Sequence, residues 1–284
     1  MNRKVLITGA TGFIGNHVVH ELLKKEYPVI ASSLHKEKAE IADWFNKVKY
    51  IPFDLASYDP GINYYQFFGE PDMLIHLAWE GLPAYKSSFH QDVNLPRHLA
   101  FLSNLIENGL KDLTVTGTCF EYGMQEGCLK EDMPTMPGNA YGMAKDMLRK
   151  KLEILVKKHA VSFKWVRLFY MYGKGQNPGS LLSQLDKALV DHEPVFNMSG
   201  GEQVRDFLPV EKVAADIVMI AFQNKVTGVI NCCSGKPVTV KEFVENYLRE
   251  TNGHISLNLG YYPYPDHEPM RFWGDTHKLN KIIN

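Results

Sequence analysis

The sequence predicts a doubly wound, mainly parallel α/β sheet followed by a smaller lobe. Three observations predict it. Strand-like and helix-like segments alternate through the first two-thirds of the chain. Several strand candidates are almost continuously apolar, as strands buried on both faces must be. A glycine-rich turn joins the first strand to the first helix. A length of 284 residues suffices for one large α/β domain or a nucleotide-binding domain with a smaller partner. With 45% hydrophobic and 22% charged residues, the chain can fill a sizeable core.

Strand candidates are residues 4–8, 29–32, 48–53, 73–77, 113–117 and 163–169. Amphipathic helix candidates are 13–25, 36–46, 90–108 and 140–159, the last with Met147, Leu148, Leu152 and Leu155 at helical spacing. After Gly173 proline and glycine become frequent, and Tyr261-Tyr262-Pro263-Tyr264-Pro265 cannot form a central strand. Residues 1–173 are therefore read as the main domain. Residues 174–284 are read as mainly a smaller lobe, with some segments returning to the main sheet.

The formal net charge of -1 gives no global attraction for nucleic acid or an anionic membrane. An anionic ligand must be held by a local site. Cys119, Cys128, Cys232 and Cys233 form no C-x-x-C pair, so reduced thiols and no metal site are expected. Arg3 and Lys4 precede only the short apolar run Val5-Leu6-Ile7, too short for a signal peptide, and no stretch is long enough to span a bilayer. The expectation is a cytoplasmic protein.

Thr8-Gly9-Ala10-Thr11-Gly12-Phe13-Ile14-Gly15 lies between the first strand and the first helix, spaced G-x-x-G-x-x-G. Glycines there let the backbone approach a pyrophosphate while the helix N-terminus offers free N–H donors. A plain tight loop is the competing reading. The second strand ends in Ala31-Ser32-Ser33-Leu34-His35-Lys36, without the carboxylate that would hold the adenosine ribose of NAD. Ser32, Ser33 and Lys36 suit a 2′-phosphate, which favours NADP. NAD stays open, since Lys36 can equally begin a solvated helix.

Tyr141 and Lys145 stand at i and i+4 of a strongly helical segment, so phenol and ammonium share one face. A nearby positive charge is expected to lower the tyrosine toward working pH, making a general acid–base beside a carbonyl. A surface pair is the other reading of that spacing alone. Thr118 falls just past the carboxyl end of a strand, where open α/β sheets bind ligands and where a hydroxyl can bond the same oxygen.

Taken together, these motifs resemble the extended short-chain dehydrogenases/reductases, the NAD-dependent epimerase/dehydratase family. The resemblance rests on the glycine pattern, Asp54-Leu55, His76-Leu77-Ala78-Trp79, the Thr118 segment, Tyr141/Lys145 and Leu168-Phe169-Tyr170-Met171-Tyr172-Gly173, in the family's order. It implies a Rossmann-like NAD(P)-binding domain and a catalytic triad of Thr118, Tyr141 and Lys145. It implies cofactor contacts from Gly9, Thr11, Gly12, Phe13, Ile14 and Gly15, and from Asp54 and Leu55 at the adenine. Leu77, Ala78 and Trp79 would follow along the cofactor's centre, with Thr116 and Phe169. Asn94 falls where the family often has a structural asparagine; a plain surface residue is the alternative. Homodimers through the helices after the fourth and fifth strands are a further implication.

Gly200–Phe207 resembles the Arg-Asp-aromatic motif of nucleotide-sugar enzymes, which would place Arg205 on a diphosphate, as its guanidinium can donate two parallel hydrogen bonds. A local Arg205–Asp206 ion pair is the alternative. Trp79, Thr118, Phe120, Tyr170 and Arg271 complete the expected substrate contacts. Dehydratases of this family carry an Asp-Glu pair after the catalytic Thr, whereas here Cys119 and Phe120 stand there. The combination with Trp273-Gly274-Asp275 resembles 4-ketoreductases of nucleotide 6-deoxysugars, those making dTDP-fucose, dTDP-6-deoxytalose or CDP-abequose. The chain ends at Asn284, where many relatives continue, so a minimal or a truncated substrate lobe is expected. The function expected is NADPH-dependent reduction of a 4-keto sugar nucleotide. The alternatives are an NAD-dependent 4-epimerase and, more remotely, a non-catalytic NAD(P)-sensing regulator.

Overall fold

The computed structural model describes residues 3–266 and 268–283. The chain begins with β1 (Val5–Thr8), α1 (Phe13–Lys24), β2 (Val29–Ser32), α2 (Lys36–Glu40), β3 (Lys49–Tyr50), α3 (Tyr64–Phe67) and β4 (Met73–His76). It continues with α4 (Leu95–Glu107), β5 (Asp112–Thr118), β6 (Gly127–Leu129), α5 (Ala140–His159), β7 (Ser162–Leu168) and β8 (Tyr170–Tyr172). The last third holds α6 (Leu181–Val190), β9 (Val195–Asn197), β10 (Val204–Pro209), α7 (Val210–Phe222) and β11 (Gly228–Cys232). After these come β12 (Pro237–Thr239), α8 (Val240–Thr251), β13 (Ser256–Asn258), β14 (Phe272–Gly274) and α9 (His277–Ile283).

Seven strands form one parallel sheet in the order β11-β7-β5-β4-β1-β2-β3. The fold is Rossmann-like: the strand order reverses between β1 and β4, which opens a crevice at their carboxyl ends. The apolar runs follow from burial on both faces. Val5 and Ile7 of β1 enter one core with Val18, Leu22 and Ile217, while Leu6 between them enters the other with Leu74, Phe101 and Leu105. The first core lies under α1, α7 and α9, the second under α3, α4 and α5.

Past residue 173, β11 pairs in parallel with β7 in the main sheet, and α7 packs beside α1. Segments α6, β9 and α8 surround a separate small core of Leu182, Leu185, Phe196, Met198 and Val244. Strands β12, β10 and β8 form a three-stranded sheet, and β13 pairs with β9. No helix among the described residues is long and apolar enough to cross a membrane.

Three expectations fail locally, the first being the strand over 48–53, which shortens to Lys49–Tyr50. The helix over 36–46 stops at Glu40, because Trp44 turns inward, fully buried, and its Nε1 donates to Asn16 Oδ1 on α1 at 2.6 Å. Tertiary contact overrides local propensity there. The helix over 90–108 opens with a wide π turn, His90–Asn94, before the regular turns of α4.

Helix α5 has the expected bounds. The Asn139 side chain caps it by accepting from Gly142 N at 2.8 Å, and Lys157, Lys158 and His159 complement its carboxyl end. It terminates at Ala160 in the left-handed region, φ 53° and ψ 46°. An alanine there carries a steric cost that glycine lacks. Ala160→Gly should therefore stabilise the fold by about 1 kcal/mol, read as a raised urea midpoint at unchanged slope.

Candidate active site

A cleft of about 390 Å³ opens at the carboxyl ends of β1, β4, β5 and β7. Its floor is the turn after β1. Gly9 has φ +73°, and a Cβ there would lie 2.7 Å from Ala78 N; a Cβ on Gly15 would lie 2.0 Å from Gly9 O. The turn can therefore fold only with glycine at both places. Gly12 begins α1 with no side-chain cap and no acidic residue in the first turn. That leaves the helix's positive end open to an anion, which fits a dinucleotide pyrophosphate.

The cleft wall brings together fourteen of the expected residues. Gly9, Gly12, Phe13, Ile14 and Gly15 come from the glycine turn and α1, and Leu77 and Trp79 from the segment after β4. Thr116, Thr118 and Phe120 line it from β5 and beyond, Tyr141 and Lys145 from α5, and Phe169 and Tyr170 from the end of β7. Thr11 and Ala78 sit in the adjoining backbone, Ala78 against Gly9.

Others lie outside the wall. Ser32 and Ser33 are buried at the end of β2, Ser33 Oγ within 2.9 Å of Tyr50 Oη. Lys36 is exposed and pairs with Glu40 at 3.1 Å. Asp54 accepts from Ala56 N at 2.8 Å, and Leu55 packs on the core under α3 and α4. Arg205 is 2% exposed, and Arg271 is exposed beside Val204.

Arg205, expected to meet a diphosphate, is held by groups of the protein. Its Nη2 donates to Glu268 Oε2 at 2.9 Å and its Nη1 to the carbonyls of Val204 and Met270. The guanidinium also stacks over Phe272 at 4.6 Å. Desolvation makes an anionic partner mandatory for a buried arginine, and Glu268 fills that role. Asp206 does not pair with Arg205. It accepts instead from the backbone of Ser234, Gly235 and Gly274 and from the Ser234 hydroxyl.

Tyr141, Thr118 and Lys145 converge at the cleft floor. The Tyr141 and Thr118 side chains are hydrogen-bonded to each other. Lys145 Nζ donates to Thr116 O at 2.9 Å and sits 4.0 Å over the Trp79 ring and 6.0 Å from the Tyr141 ring. Contrary to expectation, the Tyr141 phenol is pushed up, first by burial and then by the neighbouring Tyr85, Glu121 and Cys119. Burial lowers Lys145 to about 7, against the pull of Glu121. Desolvation outweighs the opposing influence of Thr118, so the phenol is held protonated. Asn94 is buried, and its Nδ2 donates to Glu80 O at 2.9 Å, fastening the segment after β4. Among the described residues no cluster of His, Cys, Asp and Glu could hold a metal ion.

Residues 5–233 match the model of the NAD dependent epimerase/dehydratase family. The chain belongs to this family. It is 29% identical over 271 residues to the dTDP-6-deoxy-L-talose 4-dehydrogenase (NAD(+)) of Aggregatibacter actinomycetemcomitans, covering 95% of this chain and 98% of that protein. It is 25% identical over 255 residues to the dTDP-4-dehydro-6-deoxyglucose reductase of Escherichia coli, covering 85% and 79%. Among solved structures it is similar in fold to a UDP-glucose-4-epimerase from Stenotrophomonas maltophila, with TM-score 0.87 at 19% identity, covering 99% of this chain and 92% of that one. The protein is thus an NAD(P)-dependent oxidoreductase of a nucleotide-sugar family.

In this family member a buried ionic cluster stands directly behind Thr118. Glu121 is fully buried; it accepts from Thr118 N and Trp165 Nε1, each at 2.9 Å, and from Arg167 Nε at 2.8 Å. It closes a capping box with Thr118, so it fixes the turn that presents the hydroxyl. Sequence reasoning missed this role, although a lone acid in an apolar–aromatic run was a visible signal. It also missed Leu82, Pro83, Tyr85, Gln176 and Asn177, which loop geometry alone delivers to the cleft. Glu121→Leu leaves Arg167 buried without its carboxylate and should cost about 3–5 kcal/mol in urea unfolding. The double change Glu121→Leu with Arg167→Met should recover much of that loss.

Proposed function

We propose that the protein is a 4-ketoreductase of a dTDP-linked 6-deoxyhexose, using NADPH. The observation that carries this reading is the content of the cleft wall. Tyr141, Thr118 and Lys145 stand beside the glycine turn, and the described residues lining the cleft include no carboxylate. Eliminating water from a sugar needs an additional acid–base group beside the tyrosine, whereas reducing a carbonyl needs one proton donor. The names of the two relatives support a dTDP-6-deoxysugar ligand and chemistry at its C4.

A bound reduced nicotinamide would supply the hydride. This chain's residues do the rest. The glycine turn and the open end of α1 hold the pyrophosphate. Thr118 and Tyr141 hydrogen-bond the C4 oxygen, and the C=O bond becomes C–H and C–O–H as Tyr141 passes its phenolic proton to that oxygen. Because burial keeps the phenol protonated, it is poised as an acid rather than a base. Lys145 contributes positive charge beside the developing alkoxide. The lobe built on α6 and α8 covers the sugar nucleotide, and Phe120 and Tyr170 pack against the sugar.

For the cofactor, the local chemistry at the end of β2 favours NADPH, although the talose relative's name specifies NAD(+). The strand end itself, Ala31-Ser32-Ser33, carries no carboxylate to repel a 2′-phosphate; Glu37 and Glu40 follow on α2. Lys36 and His35 are paired to Glu40 and Glu37 only at the surface. Surface pairs are worth about 0–1 kcal/mol and are readily exchanged for a phosphate.

The test is a purified protein with NADPH or NADH and a dTDP-4-keto-6-deoxyhexose, followed by the reduced-nicotinamide absorbance. Absorbance loss requiring both protein and sugar, with higher kcat/KM for NADPH, is the expected result. No loss with any nucleotide-linked keto sugar, together with stoichiometric NAD released on denaturation, would replace the reductase with a 4-epimerase. Tyr141→Phe should lower kcat on the order of a hundredfold or more, with cofactor affinity unchanged by fluorescence titration. Near-normal turnover in that variant would remove Tyr141 from the mechanism.

A further inference from the structure

From behind the cleft a chain of contacts runs from Thr8 through two buried histidines and Trp79 to Lys145. Thr8, at the end of β1, places its hydroxyl 2.7 Å from His76 Nδ1 on β4. His76 Nε2 lies 2.8 Å from His98 Nδ1 on α4. The His98 ring stacks on the Trp79 indole with centroids 4.6 Å apart and planes 19° apart. The indole carries the Lys145 ammonium 4.0 Å from its ring, and its Nε1 donates to His90 Nδ1 at 3.2 Å. His76, His98 and Lys145 are each almost wholly buried.

We propose that Trp79 is a positioning residue for Lys145: its π face, braced by the His76–His98 pair, holds the buried ammonium charged and in place at the catalytic tyrosine. This rests on the reading of Lys145 as part of the reductase's acid–base group.

Few other groups can hold that charge. Lys145 is presented with one carbonyl, Thr116 O on β5, and the more distant Glu121 carboxylate, while Tyr141 on its own helix is neutral. The imidazoles facing it from β4, α4 and the turn before α4 are His76, His98 and His90, and all three are pushed toward neutrality. For His76 the cause is burial first and then Lys145 itself, which brings it down to about 3. A neutral imidazole can stack on the indole without repelling the ammonium; a charged one could not. The pair therefore gives Trp79 a rigid backing that adds no competing charge. Removing a desolvated ammonium's π partner is equivalent to deepening its burial penalty, which favours the neutral amine.

The sign follows. Lys145 is charged below its midpoint and loses charge as pH rises through it. Without the indole the charge is lost at lower pH. The experiment is a pH titration of the free protein by carbon NMR of its lysine side chains, with the Lys145 signal identified by its absence in Lys145→Arg. In the wild type that signal should be displaced by the indole's ring current and titrate near neutrality. Trp79→Leu should abolish the displacement and lower the midpoint on the order of one pH unit. Trp79→Phe, the safer variant for folding, should give an intermediate shift. The alkaline limb of kcat should move acidward by the same amounts, which a merely structural loss of activity would not produce. An unchanged Lys145 midpoint in folded Trp79→Leu or Trp79→Phe overturns the inference even if turnover with the keto sugar is normal. Shifted midpoints in a protein that turns over no keto sugar would instead uphold the Trp79–Lys145 contact and overturn the reductase reading.

Discussion

The close backbone approach of Gly9 to Ala78 is the constraint on which the rest of the site depends. A Cβ on Gly9 would fall 2.7 Å from Ala78 N, so β1 and β4 can diverge at the reversal point only as tightly as glycine allows. That approach brings the residue before the glycine, Thr8, within hydrogen-bond reach of His76, the last residue of β4. It also fixes Trp79, one residue past Ala78, at the height where the α5 lysine arrives. The glycine turn, the buried histidines and α5 are thus registered to one another through a single contact of main chain on main chain.

Burial then decides the electrostatics. Tyr141 and Lys145 are 8% and 2% exposed, and both shift toward their uncharged forms. Water cannot hold their charges, so neighbouring groups must: a carbonyl and an indole for the lysine, the Thr118 hydroxyl for the phenol. Where full charges are kept, as at Glu121 and Arg167 behind Thr118, the partner is close and the hydrogen bonds are several. The same logic accounts for Arg205. A guanidinium that deep needs an anion, which Glu268 supplies while also accepting from the cleft residue Tyr170 at 2.6 Å.

These features differ in how far the sequence reveals them, and the division follows sequence distance. Helix α5 was legible because its cap at Asn139, its apolar spacing and its basic end are all local. The strand ends and the glycine turn were legible for the same reason, and with them most of the cleft. The end of the 36–46 segment was not, since Trp44 answers to Asn16 on another helix. Arg205 carried a recognisable local motif, yet its ion pair is with a residue 63 positions away. Glu121 follows Thr118 by three residues, but its partners Trp165 and Arg167 enter only when β7 pairs beside β5.

That division bears on what distinguishes members of a family sharing one fold. The tyrosine, lysine and glycine turn define the chemistry common to hydride transfer at a sugar carbon, and short-range patterns suffice to write them. Which reaction follows depends on what surrounds the tyrosine. Here Cys119 and Phe120 occupy the two places after Thr118, and burial drives the Cys119 thiol up to about 12, leaving it a neutral, inert wall. The described residues of the wall include no carboxylate beside the phenol, and burial shields it from water. A wall so furnished withholds the carboxylate that elimination would need, and the aromatic side chains of Tyr85, Phe120 and Tyr170 shape the space beside the phenol.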